Sequence, residues 1–274
     1  MTPDNDVAVL MYHSVADSAT PEFTDFVVAP QTFADQMAAL ADAGCTTATM
    51  SDLAQARAEE RGLPAGTVVL TFDDGFLDFA HTALPVLQSH GFTATLYVTT
   101  RYVGGRSLWL RPEGEADRPM IGWADLAAVV DAGVEIGAHT HTHPQLDLVH
   151  PVVLARELTV PKVTLEDRLG VAVTSVAYPF GYASRRVRSM TAQLGYTNAC
   201  IVSDLASRAG DDPYAVPRLT VTGAHTGSQV AAMSTATSGW PQRRKADLRR
   251  GASRTLRTAG LKKPESASYS RALR

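Results

Sequence analysis

The chain has little of what marks disulfide-stabilised or membrane-spanning proteins. Its 274 residues include only two cysteines, Cys45 and Cys200, which are too few for a disulfide framework, so we expect a reduced interior. It contains no run of about eighteen apolar residues, so we expect no membrane-spanning helix. The N-terminus has no basic region followed by a long apolar core, which predicts a cytoplasmic protein without a signal peptide.

Basic residues are scarce outside the last part of the chain. The net charge is −3, but residues 241–274 hold 11 Lys and Arg against only Asp247 and Glu265. We therefore predict a main domain over residues 1–240 and a basic tail over 241–274. Because the main domain is acidic, we expect it to bind no nucleic acid.

The tail has two interpretations. Leu248, Ala252, Leu256 and Ala259 recur at helical spacing, with arginines on another face. A basic amphipathic helix of this kind can lie on an anionic membrane, which would make the protein membrane-peripheral. The alternative is a solvated, partly disordered tail.

Apolar, β-branched segments alternate with helix-length amphipathic segments through most of the chain. The hydrophobic content of 45% is enough for the core of one large α/β domain. The predicted strands are residues 7–12, 45–49, 67–72, 93–98, 134–138, 173–177, 196–201 and 215–220. Alternation of this kind predicts a parallel sheet, and about eight units favour a (β/α) barrel. An open, doubly wound sheet is the structural alternative.

Two adjacent carboxylates follow the third predicted strand, in "TVVLTFDDGFLDFA" (residues 67–80). Asp73 and Asp74 lie where the chain leaves the sheet, and two neighbouring like charges at the rim of an apolar core need compensation. A bound cation or a proton-transfer role would supply it. An ordinary helix N-cap followed by a turn glycine is the alternative.

Three histidines follow another predicted strand, in "VEIGAHTHTHPQL" (residues 134–146). His139 and His143 are four residues apart, so that both rings can reach one ion, and His141 lies between them. Two histidines and one carboxylate with open positions suit zinc, iron or another divalent ion. The pattern therefore predicts a metal site.

A third strand end carries "VTSVAYPFGYAS". Pro179 and Gly181 predict a tight turn there, and its backbone N–H groups can point into the site. A simple loop turn is the alternative interpretation.

"TFDDG", "HTHTH" and "YPFG", in this order, resemble the first three motifs of the polysaccharide deacetylases, the NodB-homology group of carbohydrate esterase family four. The resemblance covers roughly residues 7–220 and implies a distorted (β/α) barrel of seven or eight strands. It implies hydrolysis of an N-acetyl or related amide on an amino sugar in a glycan, glycolipid or glycoside.

The resemblance also assigns roles to residues. It implies that Asp73 is the catalytic base and that one divalent metal is held by Asp74, His139 and His143. Zinc is the expected ion, with nickel, cobalt, iron or manganese as alternatives. The third motif would supply the oxyanion and substrate contacts, namely Tyr178, Phe180 and Gly181.

Two features depart from the usual family pattern. Ala177 occupies the place of an arginine that usually contacts the catalytic aspartate, and Arg218 is our candidate to replace it. The family's late Leu-x-His motif is missing, so the general acid is either His13, at the end of "VAVLMYH", or His225. A histidine near the start resembles the permuted poly-N-acetylglucosamine deacetylases, which favours His13. A buried structural role for His13 is the alternative.

Two other functions remain open from the sequence. Two histidines and a carboxylate also bind the iron of oxygenases, although the β/α alternation argues against one. A non-catalytic glycan-binding relative is the other alternative, and the intact motif residues disfavour it. Substrate specificity is expected to depend on the long loop of residues 101–122.

Overall fold

The computed structural model describes residues 6–237. Eight strands form the main sheet, and each coincides with one of the predicted segments. They are β1 (Ala8–Tyr12), β4 (Thr46–Ala48), β5 (Thr67–Phe72), β6 (Thr95–Val98), β7 (Glu135–Ala138), β8 (Ser175–Ala177), β9 (Asn198–Cys200) and β10 (Leu219–Thr220). Between β1 and β4 lie two short strands that pair with each other, β2 (Ser14–Val15) and β3 (Val27–Val28). This small sheet was not predicted from the sequence.

The main sheet is parallel and curls towards closure. Its strand order is β10-β1-β5-β6-β7-β8-β9, and β4 pairs with the first half of β5. A parallel bridge between Cys200 and Val216 joins β9 to the segment that leads into β10. This is the distorted (β/α) barrel that was predicted, and it is confirmed. All parallel strands point the same way, so their carboxyl ends meet at one rim.

Helices connect most of the strands. They are α1 (Pro30–Asp42), α2 (Met50–Ala58), α3 (Leu84–Ser89), α4 (Trp123–Asp131), α5 (Pro151–Leu169), α6 (Arg185–Gln193) and α7 (Gly227–Met233). Proline at the first turn of α1 and of α5 suits a helix start, because the missing N–H would have no partner there. Within the described residues, no helix is long and apolar enough to cross a membrane.

In several strands the side chains alternate between two apolar clusters. In β5, Val68, Leu70 and Phe72 pack in the larger cluster with apolar residues of the helices, while Val69 packs in a second cluster. Because both faces are covered, every residue of β5 is buried. The strand that leads to the paired aspartates is therefore packed on both faces. The basic tail of residues 241–274 lies outside the described residues.

Candidate active site

The three sequence motifs meet at one rim of the barrel because they follow β5, β7 and β8. Asp73 continues the ladder of β5, since its N–H donates to the carbonyl oxygen of Tyr12 at 3.0 Å. Its side chain therefore alternates with Phe72 and falls on the same face as Thr71. The side chain is buried.

Asp73 forms a two-point ion pair with Arg218. The arginine Nη1 and Nη2 atoms donate to the two carboxylate oxygens at 2.6 and 2.7 Å, and Nη1 also donates to Thr71 Oγ1 at 3.2 Å. Arg218 is fully buried, just before β10. The structure thus brings the predicted partner to the aspartate.

The ion pair sets the protonation state of Asp73. Burial alone would raise the pKa of this carboxyl group, but the charge and hydrogen bonds of Arg218 hold the pKa below its ordinary value. Asp73 is therefore ionised at neutral pH.

Asp74 turns away from its neighbour. Its φ of 77° lies in the left-handed region, where the chain leaves the strand. Asp74 Oδ1 lies 3.4 Å from His139 Nε2 and 3.3 Å from His143 Nε2. Burial would raise the pKa of Asp74, but the two histidines lower it overall.

A backbone carbonyl group orients the ring of His139. His139 Nδ1 is 2.8 Å from the carbonyl oxygen of Ala177, so Nδ1 carries the proton and Nε2 is left with a lone pair facing Asp74. Burial would lower the pKa of His139, but Asp73 and Asp74 raise it. Burial lowers the pKa of His143 despite Asp74.

These three side chains fit a divalent metal ion. Among the described residues, they form the one group of three potential ligands whose atoms all lie within 4.8 Å of one another. The Asp74 Oδ1 atom is buried and accepts no hydrogen bond from any described residue. Ligands about 2.0–2.1 Å from a tetrahedral zinc ion lie about 3.3 Å apart, close to the distances from Asp74 to the two histidines.

A carboxylate of α5 holds the loop between the two histidines. Glu157 is buried and accepts hydrogen bonds from the His141 N–H at 2.9 Å, and from the Thr142 N–H and hydroxyl at 2.7 Å each. Thr140 and His143 both have positive φ in this loop. Such conformations cost of order 1–3 kcal/mol each and need support from their surroundings.

His13 follows β1 and lines a small cavity together with the two aspartates and the two histidines. The lining residues are His13, Phe23, Phe26, Asp73, Asp74, Trp109, Leu110, His139, His143 and Phe180. The cavity has a volume of about 20 Å³, the room of a single water molecule. Burial lowers the pKa of His13, although Asp73 and Asp74 act in the opposite direction.

His225 lies elsewhere. Its Nδ1 accepts a hydrogen bond from the Thr222 N–H at 3.0 Å, and its carbonyl oxygen accepts one from Gln36 of α1. It does not belong to the cavity lining. Of the two histidines considered as the general acid, the structure brings only His13 to the aspartates.

Of the three residues predicted from the third motif, only Phe180 lines the cavity. Phe180 has a φ of 62° and its ring lies 5.1 Å from that of His143. Gly181 shapes the turn, because its φ is 71° and a Cβ atom would lie 2.4 Å from the Val202 nitrogen. Its N–H donates to the Tyr178 carbonyl oxygen at 2.8 Å within the turn.

The Tyr178 side chain is a correction to the predicted substrate contacts. It is fully buried and its hydroxyl donates to Thr191 Oγ1 and to the Tyr214 carbonyl oxygen. Its N–H still pairs with Cys200, so it continues the alternation of β8 and falls on the same face as Val176. That face packs in the large cluster and not at the rim.

Several residues of the cavity wall were not predicted from the sequence. Phe23 and Phe26 come from the loop between β2 and β3, and Trp109 and Leu110 come from the long loop after β6. The long loop was expected to determine specificity, but its cavity residues were not named. The signal in the sequence is the aromatic spacing of "EFTDF" (residues 22–26), in the loop that follows His13 and β2.

A family model described as polysaccharide deacetylase matches residues 60–199, which is half of the chain and includes all three motifs. The chain belongs to the polysaccharide deacetylase family.

Known relatives share the architecture. The protein YxkH of Bacillus subtilis (strain 168) is 23% identical over 82% of this chain and 74% of its own length. The Streptococcus pyogenes deacetylase PplD, solved in complex with acetate, superposes with a TM-score of 0.74 at 22% identity, covering 85% of this chain and all of that one. BC0361, a polysaccharide deacetylase from Bacillus cereus, gives a TM-score of 0.72 at 26% identity, covering 85% of this chain and 70% of its own.

Proposed function

We propose that the protein is a metal-dependent hydrolase that removes N-acetyl groups from amino sugars of a glycan or glycoside. The observation that carries the proposal is that the two adjacent aspartates have different partners. Asp74 faces two histidines, whereas Asp73 is paired with Arg218. Family membership supports the reaction class.

Asp74, His139 and His143 would hold the ion, with zinc as our first choice. A bound divalent ion supplies an activated water molecule at neutral pH and polarises the carbonyl oxygen of the amide. Asp73 lines the same cavity and is ionised, so it can accept the proton of the attacking water. Arg218 keeps that carboxylate in place.

His13 is proposed as the general acid. It gives a proton to the amide nitrogen as the carbon–nitrogen bond breaks, and the products are acetate and a free amine. Its lowered pKa means that its proton is held more weakly than in free imidazole. The main chain near Phe180 is proposed to stabilise the developing oxyanion.

The cavity walls support a sugar substrate. The ring centroid of Trp109 lies 4.6 Å from that of Tyr102 and 5.3 Å from that of His143, and both pairs are tilted. An aromatic surface therefore borders the metal ligands. Because the cavity itself has the room of one water molecule, the sugar ring would lie above it. We infer that the substrate is an N-acetylated amino sugar that binds at the mouth of the cavity.

Acetate release tests this proposal. The full chain, stripped of metal with EDTA and reloaded with zinc, is incubated with a panel of N-acetylated amino sugars and their oligomers. We expect acetate from at least one substrate with zinc and none after EDTA. The Asp73→Asn variant serves as the inactive control. Acetate release that EDTA leaves unchanged would contradict metal dependence.

A further inference from the structure

We propose that Arg118 is a positioning residue for this reaction, which holds His13 and the aromatic wall of the cavity in place. The inference rests on the proposed function of the site. Arg118 is not among the residues that line the cavity, so it would act through others.

Arg118 is tied to the segment that follows His13. Its side chain is only 8% exposed. Nη1 donates to Ser14 Oγ at 3.0 Å, and Nη2 donates to the Ser18 carbonyl oxygen at 3.0 Å and to Glu115 at 3.1 Å. Ser14 is the immediate neighbour of His13, so these bonds fix the backbone that carries the imidazole.

Asp78 completes the attachment. Its carboxylate accepts hydrogen bonds from the Ser14 hydroxyl at 2.5 Å and from the Val15 N–H at 3.2 Å, and lies 3.8 Å from Arg118 Nη1. The cation thus faces a carboxylate that is 17% exposed, and both groups contact the same serine. A pair of this kind is costly to break, because one charge would remain buried without its partner.

A first row of aromatic rings leads from Arg118 to His13. The guanidinium lies 5.2 Å from the ring centroid of Phe23. The Phe23 and Phe26 centroids are 5.2 Å apart, and those of Phe26 and His13 are 4.8 Å apart. The imidazole is therefore packed against a wall that Arg118 supports.

A second row leads to the metal ligands. The guanidinium lies 5.7 Å from the centroid of Phe76, whose ring is stacked 6.3 Å from Trp109. Trp109 in turn lies 5.3 Å from His143. The Arg118 guanidinium therefore contacts both rows of rings, the one that leads to His13 and the one that leads to His143.

Only arginine suits this place. Its flat guanidinium can contact two rings and still donate to three oxygens, whereas the ammonium of lysine is a compact, strongly hydrated charge. We therefore expect Arg118→Lys to retain the charge but to displace His13. The replacement removes no group that touches the substrate.

The test compares two substrates of the zinc-loaded enzyme. Hydrolysis of an N-acetylated amino sugar needs a proton on the leaving nitrogen, whereas 4-nitrophenyl acetate has a leaving group that departs without one. For Arg118→Lys we expect kcat on the amide to fall about tenfold or more, with zinc content little changed. On the ester we expect less than about a threefold fall. Arg61→Lys, which alters an exposed arginine outside the long loop and the cavity lining, should match the wild type on both.

A second variant guards against a folding defect. Ser14→Ala leaves Arg118 and its rings intact but cuts the bond next to His13, so the same selective loss on the amide should appear, at about threefold. An unchanged ratio of amide to ester activity in both variants, beside an active wild type, would overturn the role of Arg118. A wild type inactive on every amide would instead defeat the proposed function and this inference with it.

Discussion

Arg218 and Asp73 are 145 residues apart in the chain, yet they form the two-point ion pair at the base of the cavity. Both side chains are buried, so removing either one would leave the other charge buried without compensation. The pair keeps the proposed base ionised and fixes its orientation towards the attacking water.

The first prediction concerns the pH dependence that this pair creates. Arg218→Lys loses the two-point contact, so the burial that opposes ionisation should raise the pKa of Asp73. Asp73 works only when ionised, so the acid limb of kcat/KM should move to higher pH. Profiles measured at saturating zinc test this, with Arg188→Lys, which alters the half-exposed pair with Asp212, as the control. An unmoved acid limb would contradict the role of Arg218.

The same pair affects stability. The pKa of Asp73 is lowered in the folded protein, so the pair contributes stability above the ordinary aspartate pKa of about 3.9. That contribution is lost as the pH falls through the lowered value. Below pH 4 the Arg218→Lys variant and the wild type should therefore approach each other in melting temperature.

The second prediction concerns the general acid. His13→Ala should lower kcat on an N-acetylated sugar by about a hundredfold or more while zinc content stays the same. His225→Ala should be nearly silent, because His225 is bonded to Thr222 outside the cavity. Steady-state kinetics and metal analysis of both variants decide between them. A large loss in His225→Ala with little in His13→Ala would reverse the assignment.

The sequence was enough to predict most of the architecture and the heart of the site. Strand alternation gave the eight strands, and the meeting of carboxyl ends at one rim predicted that Asp73, Asp74 and the two histidines are neighbours. Arg218 could be proposed for the same reason, because it precedes the last strand at that rim. The alternation of side chains along β8 would also have predicted that Tyr178 faces away from the site.

Other parts of the site could not be predicted from local patterns. The left-handed conformations of Thr140 and Phe180 could not be predicted, because neither residue type favours that region. Phe23 and Arg118 come from loops without periodicity. Their meeting depends on how two loops pack, which no spacing in the sequence encodes.

The third prediction concerns Glu157. Glu157→Gln removes a carboxylate that accepts three hydrogen bonds from the loop between His139 and His143. Groups that orient metal ligands typically change metal affinity by 10–100-fold, so we expect the zinc Kd to rise by about tenfold. Competition with a chromophoric chelator measures it. Glu166→Gln, which alters a half-exposed pair on the same helix, is the control. Equal affinities for both variants and the wild type would exclude this role.

The fourth prediction concerns the basic tail. We propose that residues 241–274 bind anionic membranes through their 11 Lys and Arg residues. The full chain should co-sediment with anionic vesicles, and salt should weaken the binding. Removal of 241–274 should abolish it while leaving activity on a small substrate unchanged. Equal sedimentation of both proteins would count against membrane binding.

The most direct test of the central claim is the zinc content and acetate release of Asp73→Asn and Asp74→Asn, measured side by side. We predict that Asp73→Asn retains about one zinc ion per chain and loses acetate release, because the substitution removes the base but none of the metal ligands. Asp74→Asn should lose both, because it lacks a ligand. An Asp73→Asn protein without zinc, beside an Asp74→Asn protein that retains it, would contradict the separate roles of the two aspartates.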